Sequence, residues 1–188
     1  YKALSMQESN DATLDHKTLS RKSFAHTAFV ALGSNLQDPV LQVKKAFLAL
    51  KNLPQTNLIK TSSLYCTAPI GYQSQPDFIN AVVQISTDLS PFDLLDALLN
   101  IELLAGRDRP FANAPRVLDC DLLIYVGVTM NTVKLTLPHS RMCERAFVLL
   151  PLAEIAPDLC LEKHGNVVKL KDLIQNSAVQ NQGIKKLA

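Results

Sequence analysis

Two aspartates separated by one residue interrupt a strongly apolar stretch of the chain. The stretch, residues 117–126, is rich in β-branched and other apolar residues and therefore predicts a buried strand. Side chains alternate between the two faces of a strand, so Asp119 and Asp121 are expected on one face, with Cα atoms about 6.6 Å apart. Like charges at this spacing are unfavourable unless a cation lies between them. The opposite, core-facing row is expected to contain Leu118, Cys120, Leu122 and Ile124.

Three arginines just upstream offer the positive charge that the two aspartates require. Arg107, Arg109 and Arg116 could pair with the carboxylates directly and form a buried structural ion network. They could instead hold the phosphates of a metal-bound nucleotide, because guanidinium groups bind phosphate oxygens well. The short spacing of the two acids does not decide between these interpretations.

A glutamate and a histidine lie close to these arginines in the sequence. Glu102 falls on the edge of an apolar helical stripe, where a glutamate is more often solvated than directed at an arginine cluster. His139 opens an expected helix beside Arg141 and Arg145. A histidine there is commonly a surface residue, although the neighbouring arginines favour contact with phosphate.

A nine-residue connection, 68–76, is dense in proline, glycine and amide side chains. Long loops in compact domains tend to be functional. In the strand that follows, Phe78 and Asn80 lie on the same face. This combination indicates a flat ligand with a polar edge, and the alternative is an edge-strand surface with an incidental phenylalanine.

The composition bounds the class of protein that must position these residues. The chain has 188 residues, of which 47% are hydrophobic and 19% charged, as expected for one ordinary globular domain. A net charge of +2 gives no support to a nucleic-acid or anionic-membrane partner. No apolar run has the length of a membrane span. The scattered cysteines lack zinc-site spacing and indicate reduced thiols in a cytoplasmic protein: Cys66, Cys120, Cys143 and Cys160.

The chain predicts the element order β, α, β, β, α, β. An N-cap followed by proline marks the start of each helix, at Asp38-Pro39 and at Ser90-Pro91. Glycine at position 106 is expected to end the second helix. The six elements are expected at residues 28–32, 38–50, 58–67, 78–87, 90–106 and 117–126.

This order favours an α+β protein with a ferredoxin-like βαββαβ core, an antiparallel or mixed sheet, and helices on one face. Additional C-terminal elements are expected as a strand at 133–137, a helix from 138 to about 152 and a short helix at 167–175. The expected organisation is a flexible N-terminal extension at 1–27, one domain at 28–176 and a loosely ordered tail at 177–188.

Four blocks of sequence together carry a resemblance to a known family. They occur in the family's order and spacing, and they are VALGSNL (30–36), SSLYCTAPIGYQSQPDFINAV (62–82), GRDRPFANAPRVLDCDLLIY (106–125) and LPHSRMCERAFVLLPLAEIAPDL (137–159). Over residues 29–159 the chain resembles the 6-hydroxymethyl-7,8-dihydropterin pyrophosphokinases of folate biosynthesis.

The resemblance implies a ferredoxin-like fold with ATP as the donor and two Mg²⁺ ions. The hydroxymethyl oxygen of the pterin would attack the β-phosphorus of ATP and release AMP. Asp119 and Asp121 match the family's metal-binding acids, in agreement with their expected position on one face. Arg107 and Arg116 join them as the expected catalytic residues, and Asp121 is a candidate general base.

The resemblance also implies the positions that contact each substrate. Phe78 and Phe147 match the two aromatic residues that sandwich the pterin, Asn80 matches the residue that binds its polar edge, and Thr67 and Ile70 match positions whose backbone contacts it. The positions near the nucleotide or its phosphates are Glu102, Arg107, Arg109, Arg116, Lys134, Thr136, His139 and Arg145.

Several positions depart from the family pattern. The chain has no tryptophan, although some members carry one in the arginine loop, and Leu99 is polar in some members. Cys120 replaces an aliphatic residue, and Ser140 replaces proline or an aromatic residue. We expect the loops 71–76 and 107–114 to close over the substrates.

Alternative functions are a non-catalytic pterin-binding module and, less favoured for want of exposed aromatic and basic residues, a nucleic-acid module. The chain is expected to act as a monomer or with other folate-pathway enzymes. The alternative that it belongs to a longer multifunctional enzyme stays open.

Overall fold

The computed structural model describes residues 24–107, 111, 114–163 and 166–187 of the chain. The extension expected at residues 1–27 lies mostly outside the described residues. His26 and Thr27 are described, and they already belong to the first strand.

The strands and helices of the described residues follow one another in this order: β1 (His26–Ser34), α1 (Pro39–Lys51), β2 (Thr56–Thr61), β3 (Tyr65–Thr67), β4 (Phe78–Thr87), α2 (Pro91–Leu104), β5 (Asp119–Tyr125), β6 (Met130–Asn131), β7 (Thr136–Leu137), a 3₁₀ turn at Met142–Glu144, α3 (Ala146–Ile155), β8 (Cys160–Lys163), β9 (Asn166–Lys169), α4 (Leu170–Ile174), α5 (Ser177–Gln180) and β10 (Lys185–Lys186).

The main sheet is antiparallel, and its order β10-β3-β4-β1-β5 places β1 and β4 at the centre. β2 pairs with β4 on the same side as β3. Taken together, β2 and β3 are the second strand of a ferredoxin-like βαββαβ core, which confirms the expected fold class.

A serine divides the second strand, which the sequence predicts as one continuous element. Ser62 donates its N–H to the Val82 carbonyl at 2.9 Å, and its hydroxyl oxygen accepts the Val82 N–H at 2.9 Å. The side chain therefore takes the place of a strand carbonyl. Because the Ser62 hydroxyl replaces a backbone carbonyl, β4 keeps its hydrogen bonds to this edge of the sheet at the point where β2 ends.

Helices α1 and α2 begin where the sequence predicts and pack on one face of the sheet. The Asp38 carboxylate accepts the Leu41 N–H at 3.2 Å, and the Ser90 hydroxyl accepts the Asp93 N–H at 3.2 Å. Gly106, with φ of +92°, follows α2 in the left-handed region that favours glycine. The buried apolar residues of these helices are Val43, Ala46, Leu50, Leu94, Leu98 and Ile101.

The second face of the sheet is covered by α3 and the C-terminal elements, which follow the two core helices that were expected on one face. Leu149, Leu152 and Ile155 of α3 share a buried cluster with Phe29 and Val82 of the sheet. Helix α3 is apolar around most of its circumference because it lies between the sheet and later parts of the chain.

A β-bulge in β5 removes Ile124 from the core-facing row that the sequence predicts. Phe29 pairs with Ile124 whereas Val30 pairs with Leu122, so Leu123 is an extra residue between them. Leu118, Cys120 and Leu122 pack toward α1 and α2 as expected. Ile124 instead packs in the cluster that contains α3, because the bulge changes the alternation of the side chains.

The C-terminal third departs most from the sequence-based expectations. The predicted strand at 133–137 is confined to β7, and the predicted helix from 138 begins as α3 only at Ala146, after a 3₁₀ turn. The helix predicted at 167–175 is the strand β9 followed by the short α4.

The tail forms part of the sheet, and it is not the loose segment that its polar sequence predicts. β10 pairs with β3, and the Leu187 N–H donates to the Leu64 carbonyl at 2.8 Å. Val179 of α5 is buried in the cluster around α3. Within the described part of the chain, every helix is too short or too polar to span a bilayer.

Candidate active site

Two neighbouring cavities open at the end of the sheet that carries the two aspartates. The larger has a volume of about 690 Å³ and lies between β3, β4, β5 and the start of α3. The smaller has a volume of about 260 Å³ and lies between α2, β5 and the segment 134–140. Both are lined by Asp121 and His139, so these two residues form a common wall.

The larger cavity brings together every residue that the sequence assigns to the pterin. Asn80 donates its Nδ2 to the Thr67 hydroxyl at 2.9 Å, which fixes the amide at the wall formed by β3 and β4. The assigned residues that line this cavity are Thr67, Ile70, Phe78, Asn80 and Phe147.

A glycine just beyond the strand expected at residues 28–32 lies at the base of this cavity. Gly33 lies within β1, beside Asn80 and Asp119 in the neighbouring strands. A Cβ atom at Gly33 would come within 3.3 Å of Asn80 Oδ1. The absence of a side chain therefore allows the close approach of the asparagine amide.

The two aspartates share one side of β5, as their spacing predicts. Asp119 pairs with Gly33 and Asp121 with Ala31 in the adjacent strand, and both acids line the larger cavity. Each also has an arginine partner. Arg116 Nη1 lies 2.6 Å from Asp119 Oδ2, and Arg145 Nη1 lies 3.8 Å from Asp121 Oδ2.

These arginines also contact the two phenylalanine rings of the cavity. The Arg116 guanidinium carbon is 5.5 Å from the centre of the Phe78 ring, and that of Arg145 is 5.5 Å from the centre of the Phe147 ring. The direct acid–arginine pairing that the sequence left open is therefore present. It coexists with a cavity that both acids line, so the pairing leaves room for a ligand.

The carboxylate pair is a suitable donor set for a hard divalent cation. Mg²⁺ is usually bound by one or two carboxylates together with water and substrate phosphate oxygens. Among the described residues, no group of three or more His, Cys, Asp or Glu side chains forms a complete protein cage for a metal. Asp119 and Asp121 thus fit a metal that arrives with phosphate.

The smaller cavity gathers most of the residues assigned to the nucleotide. Those present are Glu102, Arg107, Lys134, Thr136 and His139, beside an apolar wall of Leu95, Leu99, Leu122 and Leu135. The assigned Arg116 and Arg145 line the larger cavity instead. Arg109 lies outside the described residues.

Glu102 is buried, in contrast to the solvated position that is common at a stripe edge. Only 2% of its side chain is exposed. It accepts a hydrogen bond from Arg107 Nη1 and another, at 2.7 Å, from the Cys120 N–H. Because Cys120 lies between the two aspartates, Glu102 connects α2 to the strand segment that carries them.

His139 is held in the wall between the cavities by its backbone and its ring. Its N–H donates to the Leu123 carbonyl at 2.8 Å, and its Nδ1 accepts the Arg141 N–H at 3.2 Å. Burial, together with the positive charges of Arg145 and Arg141, lowers the pKa of His139. The ring is therefore favoured in its neutral form.

The residues that line the larger cavity without having been assigned from the sequence include Gly33, Arg141, Glu144 and Gln182. Arg141 was noted only as a neighbour of His139. Gln182 lies in the polar tail, where no periodicity or motif marks it.

An antiparallel ferredoxin-like sheet with paired carboxylates, arginines and two adjoining cavities defines the site of a phosphoryl- or pyrophosphoryl-transferring enzyme. The sequence profile of 7,8-dihydro-6-hydroxymethylpterin-pyrophosphokinase (HPPK) matches residues 29–157. The chain belongs to this family, and it is therefore an ATP-dependent pyrophosphokinase.

Two curated relatives agree with this assignment, and both are 2-amino-4-hydroxy-6-hydroxymethyldihydropteridine pyrophosphokinases. The protein of Haemophilus influenzae is 46% identical over 144 residues, which cover 77% of this chain and 90% of the relative. The protein of Pseudomonas aeruginosa is 47% identical over 133 residues, which cover 71% of this chain and 82% of the relative.

The fold is also similar to a solved structure of wild-type HPPK-DHPS from Plasmodium falciparum with pteroate. The TM-score is 0.64 at 15% sequence identity, and the match covers 89% of this chain. The chain spans 47% of the length of that structure. This likeness supports the fold.

Proposed function

We propose that the two cavities divide the substrates of the family reaction, with the dihydropterin in the larger and ATP in the smaller. The reaction transfers pyrophosphate from ATP to the hydroxymethyl group of 6-hydroxymethyl-7,8-dihydropterin, releases AMP and belongs to folate biosynthesis. One observation carries the division of substrates: the residues assigned to the pterin line one cavity, most of those assigned to the nucleotide line the other, and the cavities meet at Asp121.

The larger cavity has the chemistry that a pterin requires. The rings of Phe78 and Phe147 offer flat apolar faces for stacking on a heterocycle. The Asn80 amide carries both donor and acceptor groups, which suits the polar edge of the pterin. Because its Nδ2 is bonded to Thr67, the orientation of the amide is fixed before the ligand binds.

The positive side chains near the shared wall are proposed to bind the triphosphate. Arg116 and Arg145 are held by aspartates that are not fully buried, so phosphate oxygens can compete for the same guanidinium groups. Lys134 and Arg107 line the smaller cavity, where the rest of the nucleotide would bind. Charge neutralisation and positioning are the main contributions that this reaction needs from the protein.

We further propose that Asp119 and Asp121 hold Mg²⁺, as two ions. When bound there, the metal would neutralise charge on the phosphates and activate the pterin hydroxyl. The donor set favours this assignment because hard carboxylate oxygens suit Mg²⁺ and a cation removes their mutual repulsion. A cytoplasmic location, with the two substrates as partners and neither nucleic acid nor membrane, completes the proposal.

The test is AMP formation from ATP in the presence and absence of the hydroxymethyl-dihydropterin. Wild-type protein is expected to form AMP only when the pterin and Mg²⁺ are present. Asp119→Ala is expected to lower the rate about 10³-fold, since a group that stabilises transition-state charge is lost. Asp158→Ala is the matched control, because Asp158 is an exposed aspartate that lines neither cavity, and it should keep the wild-type rate.

Thermal unfolding of the same variants separates catalysis from folding. Asp119→Ala should remain folded, because the relief of repulsion between neighbouring carboxylates offsets the loss of the partly exposed ion pair with Arg116. Pterin binding without pterin-dependent AMP formation by the wild type would contradict the proposal and favour a non-catalytic pterin-binding module.

A further inference from the structure

The C-terminal segment 177–187 connects the two walls of the larger cavity. On one side, β10 pairs with β3, with Lys185 opposite Cys66 next to the cavity residue Thr67. On the other side, Gln182 contacts the start of α3. The segment lies beyond residue 157, where the match to the family profile ends.

The side-chain amide of Gln182 makes three hydrogen bonds to backbone groups. Its Oε1 accepts the Ala146 N–H at 2.9 Å. Its Nε2 donates to the Glu144 carbonyl at 2.7 Å and to the Ala178 carbonyl at 3.0 Å. One amide thus joins α5 to both sides of Arg145, and Gln182 itself lines the larger cavity.

Helix α3 depends on this contact because its own N-terminus supplies no equivalent group. Arg145 is the N-cap residue, and its side chain makes no capping hydrogen bond. The first N–H groups of a helix have no partner within the helix and need an external acceptor. For Ala146, that acceptor is Gln182, 36 residues away in the sequence.

The residues on either side of Ala146 belong to the proposed pterin and metal site. Arg145 lies 3.8 Å from Asp121 and contacts the ring of Phe147, and both side chains line the larger cavity. A backbone fixed at Glu144 and Ala146 restricts where these two side chains can be placed. Loss of the hydrogen bonds from Gln182 would therefore lower the affinity for the ligand that lies against Phe147.

We propose that Gln182 is a positioning residue of the pyrophosphokinase: it anchors the start of α3 so that Phe147 is placed for the pterin and Arg145 for the triphosphate. The paired β10 and the Gln182 anchor together hold the wall formed by β3 against the wall formed by α3. This inference rests on the proposed assignment of the pterin to the larger cavity.

The test compares Gln182→Ala with Gln180→Ala, a glutamine of α5 that is exposed and lines neither cavity. Steady-state kinetics would give kcat and the KM for each substrate, and calorimetry would give the Kd for the pterin. Gln182→Ala is expected to raise both the KM and the Kd for the pterin about fivefold to tenfold, the effect of losing well-formed hydrogen bonds. The KM for ATP should rise by no more than about twofold, because Arg145 is one of several positive side chains proposed to bind the nucleotide. Gln180→Ala should match the wild type.

A second variant keeps the inference testable if Gln182→Ala folds poorly. Gln182→Met keeps a side chain of similar length but loses all three hydrogen bonds, so its Kd for the pterin should rise as in Gln182→Ala. A lower unfolding temperature with an unchanged pterin Kd in both variants would overturn the inference, because the role would then be structural only.

The two proposals fail in different ways. A wild-type protein without pterin-dependent AMP formation would contradict the proposed function itself. An active wild type, with Gln182→Ala indistinguishable from Gln180→Ala in its pterin Kd, would contradict only the role of Gln182.

Discussion

The two cavities share Asp121 and His139, but the chain builds their remaining walls in different ways. The smaller cavity uses α2, β5 and the segment 134–140, most of which lies within one stretch of sequence. The larger cavity uses β1, β3, β4, β5, the start of α3 and one residue of the tail. Its geometry therefore depends on contacts between distant parts of the chain.

The ion pairs of the two cavities differ in burial and in the number of anchors. Glu102 is 2% exposed and is bonded both to Arg107 and to the Cys120 N–H. The Asp121 side chain is 37% exposed, and its arginine lies 3.8 Å away. The pair in the smaller cavity thus supports the structure, whereas the arginines of the larger cavity can transfer to a ligand at modest cost.

Replacement of the shared acid should have the largest effect. Asp121→Asn keeps the shape of the side chain but removes a charge that both cavities use, so kcat should fall about 10²- to 10³-fold. The KM values for both substrates should rise in steady-state assays. Asp158→Asn, at an exposed aspartate outside both cavities, is the control and should behave as the wild type. A variant in which only one KM changes would show that the cavities do not share this wall functionally.

Removal of the buried carboxylate should have the next largest effect, on stability. Glu102→Ala leaves Arg107 and the Cys120 N–H without this partner, and loss of one member of a buried ion pair costs about 3–5 kcal/mol. Urea unfolding measures the change. The matched control lies in the same helix: Asp96 pairs with Lys134 across 2.9 Å, and both side chains are more than half exposed.

Asp96→Ala should change the free energy of unfolding by less than about 1 kcal/mol, because exposed ion pairs contribute little. Equal destabilisation by the two variants would remove the proposed difference between a structural pair and a surface pair.

The parts of the fold that could be predicted from the sequence carry local signals. The alternation in β4 gives its range, Phe78–Thr87, and Ser90-Pro91 with Gly106 gives both ends of α2. The exchange of hydrogen bonds at Ser62 and the bulge at Leu123 depend on partner strands, so no local pattern announces them. Each changes which side chains share a face.

In the site, too, the sequence predicts what depends on local geometry and misses what depends on tertiary contacts. The spacing of Asp119 and Asp121 predicts their common face from strand geometry alone, and the structure brings them to one cavity. Their arginine partners differ in this respect: Arg116 is one of the arginines expected to pair with the acids, whereas Arg145 comes from the start of α3, which is distant in sequence. Gln182 was missed because its role comes from tertiary contacts to α3, and its surroundings in sequence are those of a polar tail.

Two single substitutions, one in each cavity, test whether each cavity binds its own substrate. Phe78→Ala removes a stacking face from the larger cavity, so the KM for the pterin should rise up to about tenfold. Leu99→Ala enlarges the apolar wall of the smaller cavity, so the KM for ATP should rise about threefold, for the loss of a partly buried apolar contact. The KM for the other substrate should be unchanged in each variant, and a rise in both would contradict the separation.

The smallest expected effect concerns His139 and the dependence of stability on pH. Burial and the neighbouring Arg145 and Arg141 lower the pKa of His139 in the folded protein below its ordinary value. Between the unfolded pKa of about 6.5 and this lower value, the unfolded chain binds a proton that the folded protein does not. The stabilising contribution is therefore complete above the unfolded pKa and is lost as the pH falls toward the folded pKa.

Urea unfolding at about pH 7.5 and at about pH 5.5 gives the free energy of unfolding above and below the pKa of an unperturbed histidine, which is about 6.5. Wild-type protein should lose more stability over this interval than His139→Gln, a variant that cannot titrate at this position. The carboxylates that titrate in this range are the same in both proteins, so the difference between the two losses isolates residue 139. Equal losses would mean that the ring in the shared wall accepts a proton as readily when folded as when unfolded, and that the cavities do not require it neutral.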